Sequence, residues 1–133
     1  MRPGAPGCRW SMGARYGVSV GEDGVPNVSA EEAQELVRGD AILLDVREEH
    51  EWTAGHAPEA VHVPMSRLAE RIGELPTDRT IVCVCHVGAR SAAVTDALNR
   101  AGWEALNLSG GMEAWAAAGL PVVDDTGRPG VVV

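Results

Sequence analysis

The chain has 133 residues with a formal net charge of −8, and hydrophobic residues make up 45% of it. That length suits one domain with its own core and needs no disulfide staples. The acidic balance disfavours nucleic acid and anionic membrane surfaces as partners. All basic residues are Arg, and no apolar run approaches a bilayer span.

Residues 1 to 25 are rich in Gly and Arg and show no periodicity, so a flexible tail is expected there, with the domain running from 26 to 133. The opening "MRPGAPGCRWSMGARYG" lacks the apolar stretch of a secretory leader, and Cys8 lacks the one that a lipoprotein signal would need. A cytoplasmic protein is therefore expected. In "VPNVSAEEAQELVRGD", Ser29 and Glu32 have the spacing of a capping box. A helix is predicted to about Arg38, with Gly39 as the residue just beyond it.

"AILLDV" (41–46) is a continuous apolar run, as in a strand buried on both faces of a parallel sheet. A short helix ending at Gly55 follows, then a strand at 60–64 stopped by Pro64. "SRLAERIGEL" places Leu68, Ile72 and Leu75 at helical spacing, with Ser66 as a candidate cap. "TIVCVC" (80–85) is the next strand, and a helix is expected from about Ser91 to Gly102. "WEALNL" (103–108) is a strand and "GGMEAWAAAGLPV" a last helix; the tail "DDTGRPGVVV" carries no clear pattern. Strands alternating with short helices specify an α/β fold with a central, mostly parallel sheet of about five strands flanked by helices. Ligands of such sheets bind outside the carboxyl ends of the strands, where Cys85 falls.

Cys83 and Cys85 are two apart on one strand and so share a face, too close for an ordinary bridge. Cys83 reads as a core thiol. Cys85 heads the loop His86, Val87, Gly88, Ala89, Arg90, Ser91. If Gly88 lets that loop curl, successive N–H groups form a nest for an anion, and the following helix start adds partial positive charge. Arg90 either lines this pocket or ties the loop to a carboxylate. Cys85 would then be a thiolate nucleophile, since a free thiol is only slightly ionised near neutral pH. A metal site from Cys83, Cys85 and His86 lacks a spaced fourth ligand.

"LLDVREEHEWTAGHAPEAVHVP", "CHVGARS" and "SGGMEAWAAAGLPV", in this order and spacing over residues 26 to 123, resemble a single-domain rhodanese. The resemblance implies the rhodanese-like fold and sulfurtransferase chemistry. Cys85 would attack the outer sulfur of thiosulfate, persist as a persulfide and pass its sulfur to cyanide or a thiol, a protein acceptor included. No metal and no organic cofactor is implied. The loop, with four residues between Cys85 and Arg90, is shorter than that of phosphatases of the same fold and resembles the sulfur-transferring branch. A sulfur-relay module with little free turnover is the alternative, and a phosphatase-like or arsenate-handling enzyme a further one.

By the same resemblance, Asp45 and Arg47 support the site through ion pairing and hydrogen bonds. The local alternative for Arg47 is a helical pair with Glu51. Arg90 suits a dianionic donor, and His86 either binds substrate or covers the loop. His56 is a structural turn histidine, and Glu59 stands where Gly is common. Gly110 and Gly111 allow close backbone approach to the loop, and Trp115 belongs to the core.

Overall fold

A computed structural model of the protein describes residues 18–21 and 24–133. The tail expected over residues 1 to 25, with Cys8, therefore lies largely outside the described residues. Its described part is not loose: Ser19–Val20 forms strand β1 and pairs antiparallel with β2, Pro26–Val28. The other strands are β3 (Ile42–Asp45), β4 (Val61–His62), β5 (Thr80–Val84) and β6 (Glu104–Leu108). They form one six-stranded sheet in the order β1-β2-β6-β5-β3-β4, and every pairing but β1 with β2 is parallel. The expected count of about five grows to six because β1 and β2 are too short for alternation to reveal them.

The long helices are α1 (Ala30–Gly39), α2 (Glu49–Ala54), α4 (Ala89–Arg100) and α5 (Gly111–Ala117), with the single turn α3 at Leu68–Arg71. Helix α1 starts on the expected capping box: Glu32 N–H donates to Ser29 Oγ at 3.2 Å, and Ser29 N–H to Glu32 Oε1 at 3.0 Å. Gly39 does not follow α1 but ends it, without a left-handed φ, and Asp40 caps it through its N–H to Leu36 O at 3.1 Å. The single helix expected after Pro64 is broken into 3₁₀ turns at Met65–Arg67 and Ile72–Glu74 around α3. Ser66 does not cap it, because it lies inside the first 3₁₀ turn, where its hydroxyl donates to Glu48 Oε1 at 2.8 Å. Gly73 and Pro76 also weaken helical continuity in this stretch.

The apolar strand runs are explained by two covered faces. Val82 and Val84 of β5 join Leu36, Leu43, Leu106, Met112 and Trp115 in one core. Ile81, Cys83 and Cys85 point the other way and join Leu44, Val46, Val94, Leu98 and Ala105. Trp115 is fully buried, and its indole N–H donates to Pro121 O at 2.8 Å. The C-terminal segment is strapped onto the end of α2. His56 and Val123 exchange backbone bonds at 2.8 and 2.9 Å, and Val131 N–H reaches Ala54 O at 2.9 Å. No helix among the described residues is long and apolar enough to cross a membrane.

Asp45 and Arg47, both fully buried, close the end of β3. Arg47 Nη2 lies 2.8 Å from Asp45 Oδ2, and Nε lies 3.0 Å from Oδ1. Arg47 Nη2 also donates to Gly55 O at 2.7 Å, which ties β3 to the end of α2. Removing one partner of a buried pair strands the other charge and costs about 3–5 kcal/mol. Arg47→Met is thus expected to lose about that much stability in urea unfolding; a loss within about 0.5 kcal/mol would show that the pair does not hold the strand end.

Candidate active site

Strand β5 ends at Val84, and the next residue, Cys85, lies at the carboxyl edge of the sheet. Gly88 takes φ +110°, a left-handed value open mainly to glycine, and becomes the N-cap of α4. The helix therefore starts at Ala89, two residues before the expected Ser91, which places Arg90 and Ser91 in its first turn, where amide groups lack helical partners. Gly88 N–H donates to Cys85 Sγ at 3.1 Å, and Ser91 Oγ lies 3.3 Å from the same sulfur.

The opposite side of the loop is fastened to α5. Met112 N–H donates to Cys85 O at 2.7 Å and Glu113 N–H to His86 O at 3.1 Å. Gly111 makes this approach possible: its φ is +60°, and a Cβ there would run into the carbonyl oxygens of Cys85 and His86. The close backbone approach expected of Gly110 and Gly111 is thus made at Gly111, whereas a Cβ at Gly110, the N-cap of α5, would meet Ala114 of the same helix.

These contacts set the ionisation of the two cysteines in opposite directions. Burial pushes the Cys85 thiol up, but the Ser91 hydroxyl and the N–H groups of Ser91, Gly88 and Arg90 outweigh it, so the group is held below the ordinary thiol value. Cys83, fully buried in the same core, is pushed up to about 12, mainly by burial. It is a core thiol, as its mid-strand position implies.

The Ser91 hydroxyl has one proton. Asn107 Oδ1 lies 2.6 Å away, Gly88 O 3.3 Å and Cys85 Sγ 3.3 Å. Asn107 is in turn held by its Nδ2 bond to Asn27 Oδ1 at 2.9 Å. Turning the Asn107 and Asn27 amides over together would offer Ser91 a donor, keep the bond between the two amides and release the hydroxyl proton to the sulfur. Asn107 was not singled out by the sequence reading, although a polar residue inside the buried run 105–108 is the signal that marks it.

Arg90 does not stand free over the loop. Its Nη1 and Nη2 each lie 2.8 Å from an oxygen of Glu51, a bidentate pair joining the first turn of α4 to α2. Of the two roles considered for Arg90, the structure forms the tie to a carboxylate. Chiefly through Arg90, and against the opposing effect of burial, the Glu51 carboxyl is lowered to about 2. The pair also replaces the helical contact considered between Arg47 and Glu51, since Arg47 binds Asp45 instead. Asp45 and Arg47 lie beside β5, with Asp45 opposite Val84 in register, and bond to each other.

His86 Nε2 lies 3.2 Å from Glu113 Oε2 on the outer side of the loop, and Val87 and Ala89 are exposed. A cavity of about 440 Å³ runs beside the loop, lined by Asn27, Val87, Gly88, Ala89 and Asn107 among others. His56 sits away from the sulfur, its Nδ1 2.7 Å from Trp52 O and its ring stacked on Trp52, in keeping with a structural turn histidine. Glu59 fits its turn without a positive φ.

Residues 29–118 match the model of the Rhodanese-like domain. A protein named Sulfurtransferase from Allochromatium vinosum is 40% identical over 89 residues, 66% of this chain and 83% of that protein. The HTH-type transcriptional regulator Rv0324 of Mycobacterium tuberculosis is 44% identical over 94 residues, but the match spans only 40% of that protein's length. The crystal structure of Thiosulfate sulfurtransferase from Pseudomonas aeruginosa matches 84% of this chain and 22% of that one, with a TM-score of 0.71 and 29% identity.

The Glu51–Arg90 pair makes a pH-dependent prediction. The folded Glu51 pKa of about 2 lies below its ordinary value of 4.5, so the stabilisation is present above about pH 4.5 and is lost as pH falls toward 2. Unfolding free energies from denaturant titrations should decline over this window, and Glu51→Gln should lose that part of the slope. An identical slope in the variant would contradict the assignment.

Proposed function

The chain belongs to the rhodanese-like family, and from that footing we propose that it transfers sulfane sulfur through a persulfide on Cys85. The observation that carries the reading is the convergence of the Gly88 N–H and the Ser91 hydroxyl on a sulfur whose thiol is held below its ordinary value. The Cys85 thiolate attacks the outer sulfur of the donor, forming a new S–S bond. The donor's own bond to that sulfur breaks, and the electron pair leaves with sulfite when the donor is thiosulfate. The charge then rests on the outer sulfur of the persulfide, and a thiophilic acceptor attacks that atom and releases the Cys85 thiolate. This is covalent, two-step catalysis.

The loop residues His86, Val87, Gly88, Ala89, Arg90 and Ser91 shape the space in which the persulfide sits. Gly88 and Ser91 contact the reacting sulfur directly, whereas Arg90 positions the loop through Glu51. Asp45 and Arg47 hold the neighbouring strand end in place. Two free thiols, Cys83 and Cys85, suit the reducing cytoplasm.

Incubation of the protein with thiosulfate or methanethiosulfonate, followed by intact mass measurement, tests the proposal. One added sulfur atom on the wild type and none on Cys85→Ser is the expected result, with cyanide removing the adduct. No adduct from either donor, or an equal adduct on Cys85→Ser, would contradict it. An adduct that persists in cyanide yet passes to a protein thiol would identify a relay module instead.

A further inference from the structure

Resting on the sulfur-transfer reading, we propose that the donor taken by this site carries at most one negative charge, as a persulfide or a thiosulfonate does, and that dianionic thiosulfate is disfavoured by charge. The inference starts from where Arg90 directs its guanidinium. Both of its Nη atoms are bonded to Glu51, so the cation that the sequence offers to a dianion is already neutralised. Glu48, the N-cap of α2, adds a carboxylate whose field reaches Arg90. On the other flank of the loop, Glu113 lies against His86. Arg47, the other guanidinium near this sheet edge, is fully buried and paired with Asp45. At the mouth of the loop, then, the full cation Arg90 meets the carboxylates Glu51 and Glu48, while Glu113 faces His86 on the other flank.

Among the described residues, what remains to hold an anion is the set of dipoles aimed at the sulfur: the N–H groups of Gly88, Arg90 and Ser91 and the Ser91 hydroxyl. These match one charge on one sulfur atom. The cavity beside the loop agrees. Its described lining consists of Asn27, Asn107, Ser109, Val87 and small residues, none of them charged. A donor body with amide, hydroxyl or apolar groups fits such walls, which offer no cation to a dianion.

The steps balance for both donor classes. With a protonated persulfide, the Cys85 thiolate bonds to the terminal sulfur, the donor S–S bond breaks, and the donor leaves as a thiolate. The proton on the transferred sulfur then goes to water, leaving the Cys85 persulfide anion. With a thiosulfonate, the same attack expels a sulfinate monoanion and gives the persulfide anion directly.

The salt dependence of loading separates this inference from the broader reading. Persulfide formation on the full chain is timed by quenching and intact mass. Thiosulfate is compared with methanethiosulfonate as the ionic strength rises from about 0.01 M to about 0.15 M, which shortens the screening length from about 30 Å to about 8 Å. The thiosulfate rate constant should rise a few-fold and that of methanethiosulfonate by a smaller factor. Glu113→Gln should speed thiosulfate loading at low salt more than methanethiosulfonate loading. A thiosulfate rate that falls with added salt, as an attracting cationic site demands, would overturn this inference and leave the sulfur-transfer reading standing. Failure of both donors to add sulfur would overturn that reading and the inference with it.

Discussion

Two backbone bonds pull the carbonyl groups of Cys85 and His86 outward, onto the N–H groups of Met112 and Glu113. With those carbonyls fixed on the outside, the amides of Gly88, Arg90 and Ser91, which follow in the chain, turn inward to the sulfur. The arrangement requires α5 to lie against the loop backbone, and it can do so because Gly111 adopts φ +60° and has no side chain there. A helix dipole alone contributes about 0.3–1 kcal/mol, less than about one pKa unit. It could not offset the burial of Cys85 unaided. The directed N–H groups and the Ser91 hydroxyl are the decisive contribution, and they depend on the position of α5.

The rest of the molecule holds the two sides of this loop in register. Strand β5 sits between β3 and β6 and delivers Cys85 to the sheet edge. Helix α2 supplies Glu51, which clamps Arg90 and with it the first turn of α4. Helix α2 is itself held at its end by Arg47 and by the C-terminal strap at Val123 and Val131. A local ion pair near the nucleophile thus draws on the whole carboxyl edge of the sheet. The contrast between the two cysteines shows how local the effect is: Cys83 shares the core with Cys85 but lacks the amide ring, and burial outweighs its bond with Thr95.

Much of this was legible in the sequence for a physical reason. Strands buried on both faces read as unbroken apolar runs, so 41–46, 80–85 and 103–108 stand out. The Ser29 and Glu32 capping box is local chemistry, and so is the left-handed glycine within Cys85–Ser91. Contacts between distant positions were not legible. Arg90 and Glu51 are 39 residues apart, and no spacing rule assigns that pair. Arg47 had a helical partner available at Glu51 but bonds backward to Asp45, because both are buried at one strand end. The early start of α4 was hidden because its N-cap is a glycine with no side-chain bond to read. Ser66 looked like a cap, but it lies inside a 3₁₀ turn, with its hydroxyl donating to Glu48.

Everything at the site turns on the loop donors lowering the Cys85 thiol below its ordinary value and so favouring the thiolate. The most direct measurement of that lowering is the rate of Cys85 alkylation by iodoacetamide across pH, followed on the Cys85 peptide by mass. The account predicts a midpoint below the ordinary thiol value of about 8.5, moving upward in Ser91→Ala. A wild-type midpoint at or above that value would contradict it.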